Sequence, residues 1–234
     1  LYVTLLTGDL LGDDGPDFAN RGDNSYHVLR AEDAVAVWLD GLTIEGGAAT
    51  GTVFASTGGG LRLTDSDVGV FDCVWRDNLA ANAGGAITAS SPQSSLVVEQ
   101  SSFVGNQAGE GGGAIYAINF TLHLESCIFE ENRVTESGGV GGAIFAGGTT
   151  VARDCAFERN VTAGGGAAIS GVDMELLRCL FHQNSAVTEG GAIRVEEGHL
   201  IAHACEFVEN AAVSGFGGAI HADDVETGSS DIVS

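Results

Sequence analysis

Apolar and polar residues alternate in short segments along most of the chain, and the segments recur at a regular interval. One copy reads CIFEEN at 127–132, with GAI following at 142–144. Apolar residues also lie five and three positions before the cysteine, as Leu122 and Leu124. Because alternation with a period of two is typical of strands, each copy predicts three short strands, with a bend between Leu124 and Cys127.

The first position of this pattern is cysteine or serine at 73, 101, 127, 155, 179 and 205, so the repeat is 24 to 28 residues long. Repeats of this length stack on one another, since no single unit buries its own apolar face. The recurrent glycine pairs argue against helices, where each glycine costs about 1 kcal/mol. The chain is therefore predicted to be all-β: a parallel β-helix (β-solenoid) of about seven or more coils of 24–31 residues, or roughly 34 Å of rod for seven coils.

Stacked coils place equivalent side chains above one another, so the repeat predicts structural ladders of thiols, phenyl rings and amides. The asparagine amide can bond the coils above and below, and asparagine also tolerates the left-handed conformation of a turn. The glycines before each Ala-Ile pair permit a positive φ and leave room for the neighbouring backbone. The ladder residues are Cys73, Cys127, Cys155, Cys179, Cys205, Phe129, Phe157, Phe181, Phe207, Asn78, Asn106, Asn132, Asn160, Asn184 and Asn210.

The combination of Gly-Gly-Ala-Ile with Phe-x-x-Asn resembles the repeats of the chlamydial polymorphic outer membrane proteins. The resemblance covers roughly residues 40–222, with Trp75 in one phenylalanine position, Ser101 in one cysteine position and GAAI at 166–169. It implies a right-handed helix displayed on a cell surface, often as an autotransporter passenger that takes part in adhesion. It does not imply an active site.

The repeat divides the chain into three parts. Residues 1–39 are expected to form one or more irregular N-terminal coils, with strands at 1–6, 26–29 and 34–39 around a loop rich in aspartate and glycine. Residues 40–222 form the repeat β-helix, and 223–234 the truncated start of a further coil or a tail. Without a visible signal peptide or membrane span, the chain is expected to be an excised piece of a longer secreted or surface protein.

The composition limits the partners. The net charge is −23, and all nine cationic side chains are arginine, which excludes the positively charged footprint of a nucleic-acid-binding protein. The five cysteines share one column, where parallel side chains do not converge. They are therefore expected to be buried free thiols rather than disulfides or a metal site.

The N-terminal loop holds the candidate metal ligands Asp9, Asp13, Asp14 and Asp17, whose oxygens suit Ca²⁺. Turn chemistry alone also explains their presence. In the same loop, residues 21–23 spell Arg-Gly-Asp, the integrin-binding tripeptide, although a match of three residues arises easily by chance.

Two surface features complete the candidate sites. Tyr116 and Phe145 are expected to stack on adjacent coils, where they form either a small contact patch for a sugar or protein or an ordinary aromatic pair. Asn119 begins a glycosylation sequon in a loop between strands, whereas Asn160, which also begins one, belongs to the inward ladder.

No catalytic constellation is predicted. A hydrolase of this fold needs paired aspartates on neighbouring coils, and no arginine is expected beside a carboxylate cluster. The predicted function is therefore a non-enzymatic extracellular or cell-surface rod acting in adhesion or display, with a host-cell or neighbouring-cell surface protein or glycan as partner. The alternatives are a filament subunit that associates end to end, and a polysaccharide-binding or polysaccharide-degrading protein.

Overall fold

The computed structural model describes residues 4–92, 94–223 and 232–233, which wind into a parallel β-solenoid of about seven turns. Three sheets run along the axis, named A, B and C here. Neighbouring strands within each sheet come from successive coils, and equivalent residues pair directly, as Phe129 pairs with Phe157. The all-β solenoid predicted from the repeat is confirmed.

Sheet A carries the Cys-x-Phe part of each repeat. Its eight strands are Thr4–Thr7, Leu42–Glu45, Val74–Arg76, Ser102–Val104, Ile128–Glu130, Ala156–Glu158, Leu180–His182 and Glu206–Val208.

Sheet B follows the asparagine of each repeat and has only two residues per strand. Its seven strands are Ala48–Ala49, Leu79–Ala80, Gln107–Ala108, Arg133–Val134, Val161–Thr162, Ser185–Ala186 and Ala211–Ala212. These strands were not predicted, because two residues are too few to show the alternation of apolar and polar side chains that is typical of a strand.

Sheet C has two halves. The first half follows the glycine pairs and contains Leu29–Glu32, Leu61–Thr64, Ile87–Ala89, Ile115–Ala117, Ile193–Glu196 and Ile220–Asp223. The second half carries the Leu-x-Leu pairs and contains Val37–Asp40, Asp67–Phe71, Ser95–Glu99, Leu122–Glu125, Leu200–His203 and Ile232–Val233. In two coils a single strand spans both halves, as Ile144–Arg153 and Ile169–Leu177. Two short 3-10 helices, Pro16–Phe18 and Val53–Ser56, lie outside the sheets.

The corners on either side of sheet A are made by residues with positive φ. The residue before each cysteine position has φ between 47° and 54°, as at Ser126 and Asp154. The residue before each ladder asparagine has φ between 51° and 63°, as at Glu131 and Arg159. The ladder asparagines do not themselves have a positive φ, although the residue type tolerates it. Their side chains have to point inward, so the chain turns one residue earlier.

The glycine pairs have the two roles that the sequence predicts. Gly141 has a φ of +67° at the corner before sheet C. Gly142 has no room for a side chain, because a Cβ there would overlap the carbonyl oxygen of Ala167 on the next coil. The first glycine therefore permits the turn, and the second permits close stacking of the coils.

The interior is a continuous column of apolar side chains. Trp75, Phe103, Phe129, Phe157 and Phe181 are fully buried. Together with Phe207 they form a stack of nearly parallel rings, whose neighbouring centroids are 4.7 to 6.0 Å apart. Deleting one such ring typically costs about 3–5 kcal/mol, so this column is a large contributor to the stability of the rod.

The N-terminal segment joins the coils in register. Leu29–Glu32 pairs with Leu61–Thr64, and Val37–Asp40 pairs with part of Asp67–Phe71. Both strands begin three residues later than predicted. At the other end, Ile232–Val233 pairs with Ala202–His203. The rest of the predicted tail, 224–231 and 234, lies outside the described residues, as does 1–3 of the first predicted strand.

Candidate interaction surface

The six repeat asparagines form one hydrogen-bonded file inside the solenoid. Asn132 Nδ2 donates to Asn160 Oδ1 at 3.0 Å and to the carbonyl oxygen of Phe103 at 2.9 Å. Asn132 Oδ1 accepts the main-chain and side-chain N–H groups of Asn106. The pattern continues from Asn78 to Asn210. These amides are fully used in holding coils together, and they offer nothing to a ligand.

The five cysteines are free and also stack in one file. The neighbouring Cys127 thiol and burial raise the pKa of Cys155 to about 12, and Cys155 and burial act in the same way on the pKa of Cys179, also to about 12. Thiols in this state are poor nucleophiles and poor metal ligands. The interior of the described rod is therefore structural, and any binding chemistry lies on its outer surface.

Tyr116 and Phe145 lie on the outer face of sheet C, where they pair in register. Their ring centroids are 5.1 Å apart, with the planes inclined by 16°. Both rings are half-buried, and burial with the nearby Glu110 raises the pKa of Tyr116. The pair presents a small, partly covered aromatic surface.

A polar groove of about 900 Å³ lies along the corner between sheets A and B. We call it the A–B groove. One wall is the N-terminal loop, and the floor is made by outward residues of successive coils. Its charged lining residues are Asp9, Asp14, Asp17, Arg21, Glu45, Arg76, Asp77, Glu131, Arg133 and Arg159.

Arg21 fastens the N-terminal loop to this groove. Its Nη1 donates to the carbonyl oxygen of Asp77 at 2.8 Å, and its Nε lies 3.2 Å from Asp14 Oδ2. The guanidinium also packs over the Phe18 ring, 5.1 Å from the centroid. Only 10% of the Arg21 side chain is exposed. The Arg-Gly-Asp tripeptide is therefore not displayed as an integrin ligand would require.

The aspartates proposed to bind Ca²⁺ do not all converge. Asp9 and Asp13 lie together with Asp23, their carboxylate oxygens within 4.8 Å of one another. Asp14 instead binds Asn24 and Arg21, while the exposed Asp17 lies in the short 3-10 helix and is not part of this cluster.

Main-chain groups already occupy these carboxylates. Asp9 Oδ1 accepts from the backbone N–H of Gly12 at 2.7 Å, and Asp23 Oδ2 accepts from that of Leu11 at 2.9 Å. Desolvation opposes ionisation of Asp9, but the backbone donors outweigh it and lower the pKa of that carboxyl. Turn chemistry thus accounts for the loop, and Ca²⁺ binding by Asp9 and Asp13 stays a prediction.

An arginine does lie beside a carboxylate cluster, contrary to the expectation from sequence. Arg159 contacts Glu130 through Nη2, Glu131 through Nε at 3.2 Å and Glu158 through Nη1 at 3.4 Å. These glutamates come from two neighbouring coils, so only the coil register reveals the cluster. All three guanidinium nitrogens contact a carboxylate, so the charge of Arg159 is offset by its own neighbours.

The two sequons differ in accessibility. Asn119 is exposed, with a φ of 72°, between strands of sheet C. Asn160 is fully buried in the ladder. Of the two, only Asn119 is accessible in the folded chain.

Comparisons with known proteins agree with the repeat. The family model of the Chlamydia polymorphic membrane protein (Pmp) repeat matches residues 100–118. The chain is 33% identical over 183 residues to the "Probable outer membrane protein pmp21" of Chlamydia pneumoniae, a match covering 67% of this chain. The chain belongs to the Pmp-like repeat family.

A second relative is the "Metabotropic glutamate receptor-like protein R" of Dictyostelium discoideum, 30% identical over 158 residues and covering 64% of this chain. The chain spans about a tenth of either relative, 11% of the first and 9% of the second. No solved structure matches. Among the described residues of this Pmp-like chain, no helix is long and apolar enough to cross a membrane.

Proposed function

We propose that this Pmp-like rod is a non-enzymatic surface protein that mediates adhesion, and that the A–B groove is its contact site. The family similarity supports exposure at a cell surface, since one relative is named an outer membrane protein. The interior ladders support a mechanical role, because stacked coils hold the groove residues at fixed spacing. The partner is a surface protein or glycan that carries an acidic group.

The observation that carries this proposal is the placement of the arginines. The chain has nine arginines against 32 acidic residues, yet Arg21, Arg76, Arg133 and Arg159 all line one groove. Six carboxylates line the same groove, so an acidic group of the partner would be held by direct contact with an arginine rather than drawn in by the overall charge.

Arg133 is the arginine best placed to receive a ligand. Arg21, Arg76 and Arg159 each pair with a carboxylate, whereas Arg133 makes no ion pair among the described residues. It is exposed at the start of the sheet B strand Arg133–Val134. We therefore assign it the contact with a carboxylate or sulfate of the partner.

The test is binding of the purified chain, displayed on fluorescent beads, to a panel of cells. We expect wild-type beads to bind at least one cell type, with Arg133→Glu reducing the apparent affinity about tenfold, equivalent to about 1.4 kcal/mol. The matched control is Arg153→Glu, which makes the same charge change on an exposed residue of sheet C, away from the groove. Absence of binding to every cell type, or equal losses in both variants, would refute the proposal.

The two alternative functions predicted from the sequence can be distinguished by other measurements. A filament subunit would form open-ended polymers visible by electron microscopy. A polysaccharide-degrading protein would shorten a glycan on incubation. The three glutamates around Arg159 weigh against a polysaccharide-degrading enzyme, since they offset the positive charge that such an enzyme needs to neutralise its substrate.

A further inference from the structure

A cluster of three potential metal ligands lies on sheet C, away from the A–B groove. His221 and Asp223 are two residues apart on the strand Ile220–Asp223, so both side chains point outward on the same face. Glu189 comes from the loop of the preceding coil, just before Gly190. One ligand atom from each lies within 4.8 Å of the others.

The interatomic distances fit a small divalent metal. His221 Nε2 lies 2.8 Å from Asp223 Oδ2 and 3.7 Å from Glu189 Oε2. A tetrahedral zinc with bonds of about 2.0–2.1 Å holds its ligand atoms about 3.3 Å apart. The two measured separations bracket that value, so small side-chain rotations bring all three atoms to bonding distance.

The burial and orientation of His221 also suit a metal ligand. Its Nε2 is buried and lies within ion-pair distance of the carboxylates of Asp223 and Glu189. The side chain is only 15% exposed, and the Phe216 ring packs against the imidazole with centroids 6.4 Å apart. The imidazole is thus held with its Nε2 directed at two carboxylates, the arrangement that a shared metal ion requires.

The charge of the surroundings also favours a cation. Arg194 lies beneath His221 in register and pairs with Glu189 and Glu196. With Asp223, these carboxylates carry three negative charges against one positive charge. The formal charge of −2 is one that a single divalent ion neutralises.

We propose that Glu189, His221 and Asp223 form a binding site for a divalent transition metal of the zinc class. One imidazole nitrogen favours such a metal over Ca²⁺, which takes oxygen ligands. Three protein ligands leave a fourth position for water or for a carboxylate of a partner. The site requires the folded rod, because its ligands come from two coils.

The experiment is calorimetric titration of the metal-free purified chain with Zn²⁺, followed by Co²⁺ substitution to record the absorption of a tetrahedral complex. We expect one strong site, weakened at least about tenfold by either Glu189→Gln or His221→Gln, since even outer partners of metal ligands contribute that much. Arg194→Gln removes the competing cation and should tighten binding on the order of tenfold. Circular dichroism confirms that each variant is folded.

The control is His199→Gln. His199 Nδ1 lies 3.2 Å from Asp173 Oδ1, but among the residues that the structure describes this pair has no third ligand. Its loss should leave the strong site intact. The proposal is overturned if the chain binds no Zn²⁺, if Glu189→Gln and His221→Gln bind as wild type does, or if His199→Gln abolishes binding equally.

Discussion

Asn132 Oδ1 accepts two hydrogen bonds from Asn106, one from the main-chain N–H at 3.1 Å and one from the side-chain amide at 3.0 Å. The Nδ2 group of Asn132 donates both its hydrogens, to the next asparagine and to the carbonyl oxygen of Phe103. Every hydrogen-bonding position of the side chain is therefore occupied. Aspartate lacks the two donors and serine lacks the reach, which explains why the column is asparagine throughout.

Asn132→Ala should destabilise the rod by about 3 kcal/mol, because it leaves donors of Asn106 and the acceptor of Phe103 buried without partners. Urea unfolding followed by circular dichroism measures the change. Asn210→Ala is the matched control, since Asn210 is only partly buried and water can replace its bonds. Equal destabilisation of both variants would contradict the interpretation that the lost stability comes from buried hydrogen bonds of the asparagine ladder.

Ala204 has a φ of 52° at a corner before sheet A, where a Cβ costs roughly 1–2 kcal/mol. Ala204→Gly should therefore raise stability by about 0.5–1 kcal/mol, after allowing for the greater freedom of glycine in the unfolded chain. The control is Ala156→Gly in the strand Ala156–Glu158 of sheet A, which should lower stability by a similar amount. Thermal melts show whether each variant is more or less stable than the wild type. A lower melting temperature for both variants would be inconsistent with relief of backbone strain at Ala204.

The interior of this rod was predictable from sequence, because coil stacking repeats one environment and selects one residue type for it. Cys127, Phe129 and Asn132 therefore recur at fixed offsets that a reader can align. The left-handed corners were not predictable from the sequence, since Glu131 and Arg159 occupy equivalent corner positions but share no chemical property. Their conformation follows from the neighbouring asparagine, which has to face inward.

The outer clusters were largely hidden for a different reason. Glu189 and His221 belong to different coils, and the loops between them vary in length, so their proximity appears only once the register is known. The calcium prediction shows the same difficulty within one loop. Asp9 and Asp13 converge on Asp23, while Asp14 turns to the side chains of Asn24 and Arg21. Residue type alone does not distinguish these environments.

The buried thiols should react slowly in the folded protein. Hydrogen bonding with Cys155 lowers the pKa of Cys127, but that side chain is buried and out of reach of a reagent. Near pH 8, raising the pKa of Cys155 from 9.0 to about 12 leaves about a thousandfold less thiolate for reaction. Ellman's reagent should therefore modify the native chain slowly, beginning at Cys205, the most exposed of the five. Urea should release five reactive thiols. Rapid labelling of Cys155, or a disulfide between neighbours found by mass spectrometry, would contradict this prediction.

The surface ion pair between Arg178 and Asp154 should make a pH-dependent contribution. Arg178 Nε donates to Asp154 Oδ1 at 2.7 Å, and Nη2 to Oδ2 at 2.6 Å. Hydrogen bonding to Arg178 lowers the pKa of Asp154 from its ordinary value of 3.8, against a smaller opposing effect of desolvation. Because the folded protein binds this proton more weakly than the unfolded chain, the contribution is present above the unfolded pKa and disappears as pH falls through the folded pKa.

A double-mutant cycle of Asp154→Asn and Arg178→Gln, measured by urea unfolding between pH 7 and about pH 3, tests this linkage. The coupling should be favourable at neutral pH, vanish toward the acid end and shrink in high salt, since both side chains are solvent-exposed. In parallel, NMR titration should show the pKa of Asp154 rising toward 3.8 when Arg178 is replaced. A coupling that stays constant across the whole range would mean that the carboxylate charge is not its source.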